Sequence, residues 1–390
     1  MASSMNLVKV VLLLLSVAGF YGTWILLMNN GTGEKMADLR DHGPHYLPDT
    51  KEPLRRFYTG VGAIDYLLTV LAVFFWKLVD GSMPNGSLQA FHLAGQFGPA
   101  WAIVVLEGLR RGNRGRIISY TMILGLLIQT LAYAVITPLY LILHLSTSPT
   151  ARSPSVAEIS VDMSSLISIP VAISIGYILP AVLLALPAPY VLSFDRKQIL
   201  MAVWQAFPVW VDVLQRTISF IVAMVSNTER KSAISPAKAS ATYIRATRYV
   251  YLFALILSGF SHISAMTLAA TSKFFPGLFA PQYVGVFNPS NVFFPSTISM
   301  TTQMSSIGNG VLLLLQYDGL IGSASLVIWA SAVFVRAYGR RRPFDQWLSL
   351  VAANVLLTAL VGPVGCVVAI LWARDEAVLS ASEACADKSI

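Results

Sequence analysis

Apolar stretches of about 20 residues alternate with short polar segments along the chain. A helix needs about 20 apolar residues to cross the hydrocarbon core of a bilayer. Nine stretches reach or approach that length, and the pattern therefore predicts an all-α, polytopic bundle of transmembrane helices. They are 7–28, 61–79, 89–109, 117–145, 165–192, 199–225, 249–270, 310–335 and 347–372.

The distribution of Lys and Arg favours about eight crossings rather than nine. The connections 29–60, 110–116, 226–248 and 336–346 carry five, four, five and four of these residues. Basic loops of this kind face the cytoplasm, and nine simple crossings would divide them between the two faces. The conflict disappears if 165–192 and 199–225 cross together once, the first being broken into half-helices by its prolines. Eight crossings with lumenal termini are predicted, with nine as the alternative.

Composition supports a membrane protein with a single domain. The chain is 55% hydrophobic and 12% charged, whereas soluble domains carry about 25% charge. We therefore predict one transmembrane domain, 1–390, ending in a short polar tail, 374–390. The net charge of +8 is ascribed to topology and contact with lipid headgroups, with no nucleic-acid partner. Two cysteines exclude a disulfide framework and a Cys-rich metal site.

The stretch 61–79 carries one acid, Asp65, with no Lys or Arg three or four residues away. A carboxyl group placed in a membrane costs several kcal/mol, so it usually faces a cavity, a partner or a pathway. A helix through Asp65 aligns it with Thr69, Ala72 and Trp76, and places the acid and the indole about 16 Å apart. This face predicts a dry pocket for cationic chemistry. A carboxyl group simply hydrogen-bonded between packed helices is the alternative.

Asp318 is the second acid without a nearby cation, and its helical face reads Gly322, Ser325 and Trp329 at the same offsets. Burial disfavours the charged form of a carboxyl group. Asp65 and Asp318 are therefore the leading candidates for a general acid. Trp76, Trp101 and Trp329, with Thr69 and Ser325, are predicted to line the substrate site, because aromatic faces stabilise cations.

Two further acids, Glu107 and Asp212, have local cations that account for them. Glu107 precedes Arg110, and Asp212 precedes Arg216 by one helical turn. Surface ion pairs are the favoured explanation, and functional carboxylates within buried pairs are the alternative. Both acids are kept as catalytic candidates.

Other features narrow the possible chemistry. The histidines His92, His144 and His262 lack metal-ligand spacing and are interpreted as packing residues. Prolines and aromatics crowd the connection 271–308, which predicts either a re-entrant lid or a segment lying on the headgroups. Nucleotide-binding loops and Asp-rich diphosphate motifs are absent. A nucleotide-driven pump and a soluble terpene synthase are thereby excluded, and neither a metal nor a cofactor is predicted.

Residues 57–81, FYTGVGAIDYLLTVLAVFFWKLVDG, followed by QFGP at 96–99 and RRGNRGR at 110–116, resemble a fungal family. These are the integral-membrane terpene cyclases of meroterpenoid pathways, of the ascochlorin and macrophorin type. The resemblance implies about eight crossings and cyclisation of a farnesyl chain attached to an aromatic or quinone-like head. Protonation of an olefin or epoxide would start the reaction, without metal or diphosphate loss. Asp65 lies in the matching segment, whereas Asp318 rests on the physical argument alone.

The expected partners are a lipophilic farnesyl-meroterpenoid substrate and the lipid bilayer, with no obligate protein partner. A multi-pass protein of the endoplasmic reticulum membrane is expected. A secondary transporter of a small or lipophilic metabolite is the competing hypothesis, because transporters also combine intramembrane acids with broken helices.

Overall fold

A computed structural model describes residues 2–152, 154–229, 236–337 and 344–387. These residues form helices and connections, with one isolated bridge between Tyr46 and Pro53. The predicted all-α fold is confirmed, and six helices in the described residues are long and apolar enough to cross a membrane. In chain order the helices are α1 (Ala2–Phe20), α2 (Leu26–Asn29), α3 (Thr32–Asp41), α4 (Gly62–Val79), α5 (Pro84–Leu109), α6 (Thr121–Leu131), α7 (Tyr133–Thr147), α8 (Val156–Ile159), α9 (Met163–Ile173), α10 (Leu179–Ala185), α11 (Phe194–Gln205), α12 (Phe207–Glu229), α13 (Pro236–Phe274), α14 (Pro289–Phe293), α15 (Ile307–Ala337), α16 (Phe344–Val361) and α17 (Pro363–Asp387).

Helix α5 forms the centre of the bundle and is buried continuously from Gln96 to Gly108. It packs against α13, α15, α17 and α9. Small residues allow this close packing: a Cβ at Gly95 would lie 2.1 Å from Ser261 Cβ, and one at Gly98 would lie 2.9 Å from Tyr177 Cε1. Small residues at helix contacts are typical of membrane bundles, where backbones must approach closely.

The stretch 117–145 does not run from one end of the bundle to the other. It divides at Ala132, which has a left-handed φ of 83°, into α6 and α7. Thr121, at the start of α6, lies against Gly108, and Thr150, just beyond α7, donates to Glu107 Oε2 over 3.0 Å. The start of α6 and the end of α7 therefore lie at the same end of α5. The prediction of one crossing here is wrong, since α6 and α7 form a return hairpin with its tip inside the bundle.

The stretch 347–372 also folds back, at Gly362, where φ is +84°. The N–H of Val364 donates to Oε1 of Gln96, halfway along α5, over 3.1 Å. From this tip α17 runs towards Glu107, where Nη2 of Arg374 lies 2.9 Å from the Glu107 carboxylate. A glycine is required at the tip, because a Cβ at Gly362 would lie 2.6 Å from Gln96 Oε1.

The prediction of a polar tail after residue 373 is wrong for its described part. Helix α17 continues to Asp387, and Arg374 and Asp375 are 0% and 2% exposed. Charged residues at the end of an apolar run resemble a solvated tail in sequence, but here they pair with charges on other helices. Residues 388–390 lie outside the described part of the chain.

The proline-rich stretch 165–192 forms one continuous helical segment through α9 and α10 rather than separate half-helices. A π-helical turn, Ser174–Ile178, joins α9 to α10, and such turns accommodate local irregularity inside a helix. Helix α12 runs antiparallel beside this path: Ser219 Oγ lies 3.0 Å from Ser165 Oγ, and the Phe207 and Tyr177 rings are 5.0 Å apart. The interpretation that the stretches 165–192 and 199–225 together make one crossing is therefore wrong.

The bundle has two distinct ends. We define the basic end by the connections 110–120 and 148–162, and the lid end by 30–61, 80–83 and 275–306. The prediction that 29–60 and 110–116 share a face is wrong, because Met304 at the lid end donates its N–H to Asn30 O over 2.9 Å. The connections 226–248 and 336–346 lie partly outside the described residues.

The charges of the connection 29–60 are balanced, unlike those of 110–116. Its five Lys and Arg residues are matched by five acids, Glu34, Asp38, Asp41, Asp49 and Glu52, whereas 110–116 has four arginines and no acid. Arg55 lies 2.7 Å from Asp195 and lowers the pKa of that exposed carboxyl group. The connection 29–60 is therefore neutral by formal charge, whereas 110–116 is basic.

The connection 271–308 combines both predicted behaviours. The short helix α14 enters the bundle, where Val292 is buried and its carbonyl accepts from Gln316 Nε2 over 3.0 Å. Phe274, Phe275 and Phe294 remain exposed. One part of the segment therefore packs as a lid, and the other presents an apolar surface suited to the membrane interface.

We expect the basic end to face the cytoplasm, because the short connection 110–116 carries four arginines and short basic loops face that side. A glycosylation acceptor on a polar spacer inserted at Gly277 should be glycosylated, and the same insertion at Gly115 should not. A side chain at either glycine would meet nothing within 4 Å, so the two insertions are matched. The natural sequon at Asn30 should stay unmodified, since Asn30 is 1% exposed. If only the acceptor inserted at Gly115 were glycosylated, the orientation would be the opposite of the one expected here.

Candidate active site

Asp65 holds the connection that leads into α4. Its Oδ1 accepts from Thr59 N over 2.7 Å, from Thr59 Oγ1 over 2.9 Å and from Tyr58 N over 3.2 Å, while Oδ2 accepts from Gly60 N over 3.1 Å. Gly60 has a φ of +82° and turns the chain so that these donors converge. The geometry matches the alternative that the sequence left open, a packed and fully hydrogen-bonded carboxyl group.

The predicted helical face through Asp65 is buried, but it forms a packing surface. Thr69 Oγ1 donates to Asp65 O over 2.7 Å, within the same helix. Ala72 is 1% exposed and Trp76 is 0% exposed, and the indole packs on Phe194 of α11 with ring centroids 5.7 Å apart. Trp76 therefore packs α4 against α11, while Thr69 is hydrogen-bonded within α4 and to Arg55 O of the preceding connection, over 3.3 Å.

Glu107 lies in a buried network rather than in a surface pair. It is 1% exposed, and its Oε1 lies 2.9 Å from Arg110 Nε and 2.9 Å from Arg374 Nη2. The other oxygen accepts from Thr150 Oγ1 over 3.0 Å and lies 3.4 Å from His144 Nε2. The sequence identified the Arg110 pair correctly but could not show Arg374, which comes from α17.

A second carboxylate completes this network. Asp375 Oδ2 lies 2.7 Å from Arg110 Nη2 and accepts from the Tyr251 hydroxyl over 2.7 Å. Trp329 Nε1 donates to His144 Nδ1 over 3.1 Å, so this predicted cavity residue is also engaged. Two carboxylates face two guanidinium groups, and buried charges are tolerated when paired in this way. The network joins α5, α7, α13, α15 and α17 at the basic end.

Asp212 forms the local pair that the sequence predicts, with its Oδ2 2.8 Å from Arg216 Nε. The carboxylate is 18% exposed and lines a cavity of about 200 Å³ between α5, α6, α9 and α12. Because Asp212 is partly solvated and paired, it is poorly suited to be an acid that acts in a dry site.

Asp318 occupies the most apolar setting of the four acids. It is 9% exposed, and its Oδ1 accepts from the Ala134 N–H over 2.7 Å. No ion pair to Asp318 is found in the described parts of the chain. A carboxyl group that accepts through one oxygen can carry a proton on the other. The start of α7 would stabilise the anion left after proton transfer, because helix N-termini favour negative charge.

The rest of the Asp318 face is buried, as predicted, but its polar atoms are engaged. A Cβ at Gly322 would lie 2.2 Å from Cδ1 of Tyr133, so glycine is needed for the ring to pack there. Ser325 Oγ donates to Ile321 O over 2.7 Å within α15. Tyr133 thus connects the Asp318 face to the aromatic side chains beyond it.

An aromatic cluster lies beside the hairpin tip that carries Ala132. We define it as Phe97, Trp101, Tyr133, Tyr177, Trp204 and Phe207. Ring centroids are 5.1 Å apart for Phe97 and Tyr133, 5.4 Å for Trp101 and Phe207, and 6.2 Å for Tyr177 and Trp204. Sequence reasoning placed Trp101 among the site residues but could not assemble the cluster, because the six rings come from four separate apolar stretches of the chain.

The backbone is irregular on three sides of this cluster. Tyr177 lies in the π-helical turn, Phe207 follows the break between α11 and α12 at Ala206, and Tyr133 follows the strained tip at Ala132. Trp101 Nε1 is buried and finds no hydrogen-bond partner among the described residues. Irregular backbone inside membrane proteins occurs where it is buried in protein or lines a cavity, and unpaired donors suit a site that receives a ligand.

Asp65→Asn should lower stability while sparing turnover per folded molecule. The NH2 group of the new asparagine would face at least one of the N–H or O–H groups that now donate to Asp65, and two donors cannot pair with each other. A buried donor left without an acceptor costs about 1–3 kcal/mol. The thermal unfolding midpoint in detergent and product formed per folded protein should be measured together. Asp195→Asn, in an exposed pair worth about 0–1 kcal/mol, is the matched control. Full stability with complete loss of turnover would instead make Asp65 catalytic.

Comparisons with known proteins agree with the family that the sequence resembles. Residues 8–379 match the model of the CtvD domain. The chain is 30% identical to the terpene cyclase ascI of Acremonium egyptiacum over 82% of this chain and 79% of that protein. It is 29% identical to the terpene cyclase ctvD of Aspergillus terreus, over 94% and 98%, and 29% identical to janA of Penicillium janthinellum, over 85% and 84%. No solved structure matches the chain.

These three relatives are all named as terpene cyclases rather than as transporters. The resemblance noted at residues 57–81, 96–99 and 110–116 is therefore confirmed, and a cyclisation enzyme is supported over the transporter alternative. The match spans nearly the whole described bundle, including both return hairpins. The chain belongs to the CtvD-domain family of fungal terpene cyclases.

Proposed function

We propose that this protein cyclises a farnesylated meroterpenoid within the membrane, and that Asp318 delivers the proton that starts the reaction. The observation that carries the proposal is the setting of the four acids. Asp65 accepts from four donors, Glu107 faces two arginines and Asp212 is paired with Arg216. Asp318 accepts from the backbone at Ala134 and Tyr133, the latter a member of the aromatic cluster, and has no ion-pair partner among the described residues.

The reaction begins when the protonated Asp318 carboxyl group transfers its proton to the terminal olefin or epoxide of the farnesyl chain. The carbocation that forms is attacked by an alkene along the chain, which closes a ring and moves the charge. Loss of a proton or capture by a hydroxyl group of the same molecule ends the sequence. The product is then an isomer of the substrate, with neither diphosphate loss nor a change in oxidation state.

The surrounding residues supply what this chemistry needs. The Ala134 N–H and the start of α7 stabilise the Asp318 carboxylate after transfer. The faces of the aromatic cluster stabilise the migrating cation and hold the chain in a reactive conformation. Exclusion of water prevents early quenching. The three backbone irregularities beside the cluster allow its rings to separate around a substrate.

The bilayer supplies the route to this site. A polyprenyl substrate partitions into the membrane, and entrance between helices avoids its transfer through water. The long apolar helices agree with an integral membrane protein, and the endoplasmic reticulum is the compartment we propose. This reaction requires no metal, cofactor or protein partner.

Asp318→Asn should reduce cyclisation at least 100-fold, the usual contribution of general acid catalysis, with expression near normal. Asparagine retains an oxygen that accepts from Ala134 N but cannot deliver the proton. The measurement is isomeric product per folded protein in microsomes containing only this enzyme and a farnesylated phenol or its terminal epoxide. Asp195→Asn should retain activity. Wild-type turnover by Asp318→Asn would remove Asp318 from this role.

Turnover should persist in excess EDTA and release no diphosphate. In deuterated water, a substrate with a terminal olefin should gain one deuterium on carbon, because the proton exchanges through Asp318 between turnovers. The corresponding epoxide should gain none on carbon, since its oxygen is protonated first. Mass spectrometry of the products distinguishes the two cases. Loss of activity on chelation, with recovery on adding magnesium, would contradict the metal-free mechanism.

A further inference from the structure

A cavity of about 200 Å³ opens at the basic end, between the last turns of α5, the start of α6, α9 and α12. Its apolar wall includes Val105, Leu109 and Val211. Pockets that hold drug-sized ligands have volumes of about 300–1,000 Å³, so this cavity suits only a part of such a molecule. A flat ring is the shape that such an apolar wall accommodates.

The charges that line the cavity cancel. Arg216 is paired with Asp212, and Arg114 lies 2.7 Å from Asp162, so two cations face two anions. A site for a phosphate or a lipid headgroup would present uncompensated cations. The balance at this site therefore favours a neutral, polar ligand.

Gln215 provides a buried hydrogen-bond acceptor beside the cavity. The residue is 4% exposed and lines the cavity. Its Nε2 donates to Ser165 O over 2.9 Å and to Ser168 Oγ over 2.7 Å, which fixes the amide group against α9. Its Oε1 finds no partner in the part of the chain that the structure describes. An unpaired buried acceptor is costly, and a ligand O–H would satisfy it.

The cavity also lies in line with the aromatic cluster. Val105 in the cavity wall and Trp101 and Phe97 in the cluster follow one another at offsets of four along α5. The rise from Val105 to Phe97 is about 12 Å. A molecule with a polar ring in the cavity would therefore extend its chain past Trp101 towards Tyr133 and Asp318.

We infer that this cavity binds the hydroxylated aromatic head of the substrate, with a ring hydroxyl donating to Oε1 of Gln215. The inference rests on the proposed cyclase function and adds the orientation of the substrate. The head lies at the basic end, and the distal isoprene unit reaches the middle of the bundle. Gln215 is a binding residue in this arrangement, whereas Asp318 acts on the reacting atoms.

The test compares a farnesylated phenol with its methyl ether, which lacks the hydroxyl donor. The wild-type enzyme should prefer the phenol by roughly tenfold or more in kcat/KM, chiefly through KM. Gln215→Leu should abolish this preference. Ser168→Ala removes one partner of the same amide nitrogen but keeps the acceptor, so it should retain the preference and controls for loosening of α9 against α12.

A binding measurement separates this inference from the proposed reaction. Ser119→Cys introduces a thiol at the cavity wall that a maleimide can label. The phenol should slow this labelling, and the methyl ether should slow it less. Protection should persist when Asp318→Asn is added, although turnover is lost. Three outcomes would overturn the inference. The wild-type enzyme could show equal kcat/KM for the phenol and the ether, or the preference for the phenol could survive Gln215→Leu. Anionic phospholipid, instead of the phenol, could also protect the introduced thiol. Protection without any isomeric product would overturn the cyclase function while leaving the head site supported.

Discussion

The need to satisfy polar groups inside an apolar bundle governs this structure. Each return hairpin exposes free backbone N–H groups at the start of its second helix, where water is scarce and an unsatisfied donor is costly. Asp318 accepts from Ala134 at the start of α7, and Gln96 accepts from Val364 near the start of α17. One side chain on α15 and one on α5 therefore fix both hairpins in place.

The same requirement organises the charges at the basic end. Glu107 and Asp375 can be buried because Arg110 and Arg374 are buried with them. Removing one member would leave an uncompensated charge, which is far more costly than never burying the pair. The network therefore holds α7 and α17, the second helices of the two hairpins, to α5, while the hairpin tips lie near the middle of α5.

These constraints distribute the acids among distinct roles. A carboxylate surrounded by donors or arginines is already committed to holding the fold, as Asp65 and Glu107 are. Asp318 also holds a hairpin tip, through the backbone at Ala134 and Tyr133, but it has no ion-pair partner among the described residues. In the proposed mechanism the structural and chemical functions coincide in this one residue, because the helix start that Asp318 caps would also stabilise its anion.

The sequence by itself determined the fold class, the buried faces through Asp65 and Asp318, the local pairs of Glu107 and Asp212, and the family. These follow from periodicity, hydropathy and short-range spacing, which act within one helix. Only the tertiary structure decided that 117–145 and 347–372 fold back, that Arg374 and Asp375 are buried rather than in a tail, and that six rings from four stretches form one cluster. Hydropathy measures how well a segment tolerates an apolar environment and is blind to a reversal at a single left-handed residue such as Ala132 or Gly362. Which acid lacks an ion-pair partner among the described residues is likewise a property of contacts between distant segments, so the sequence alone could not show it.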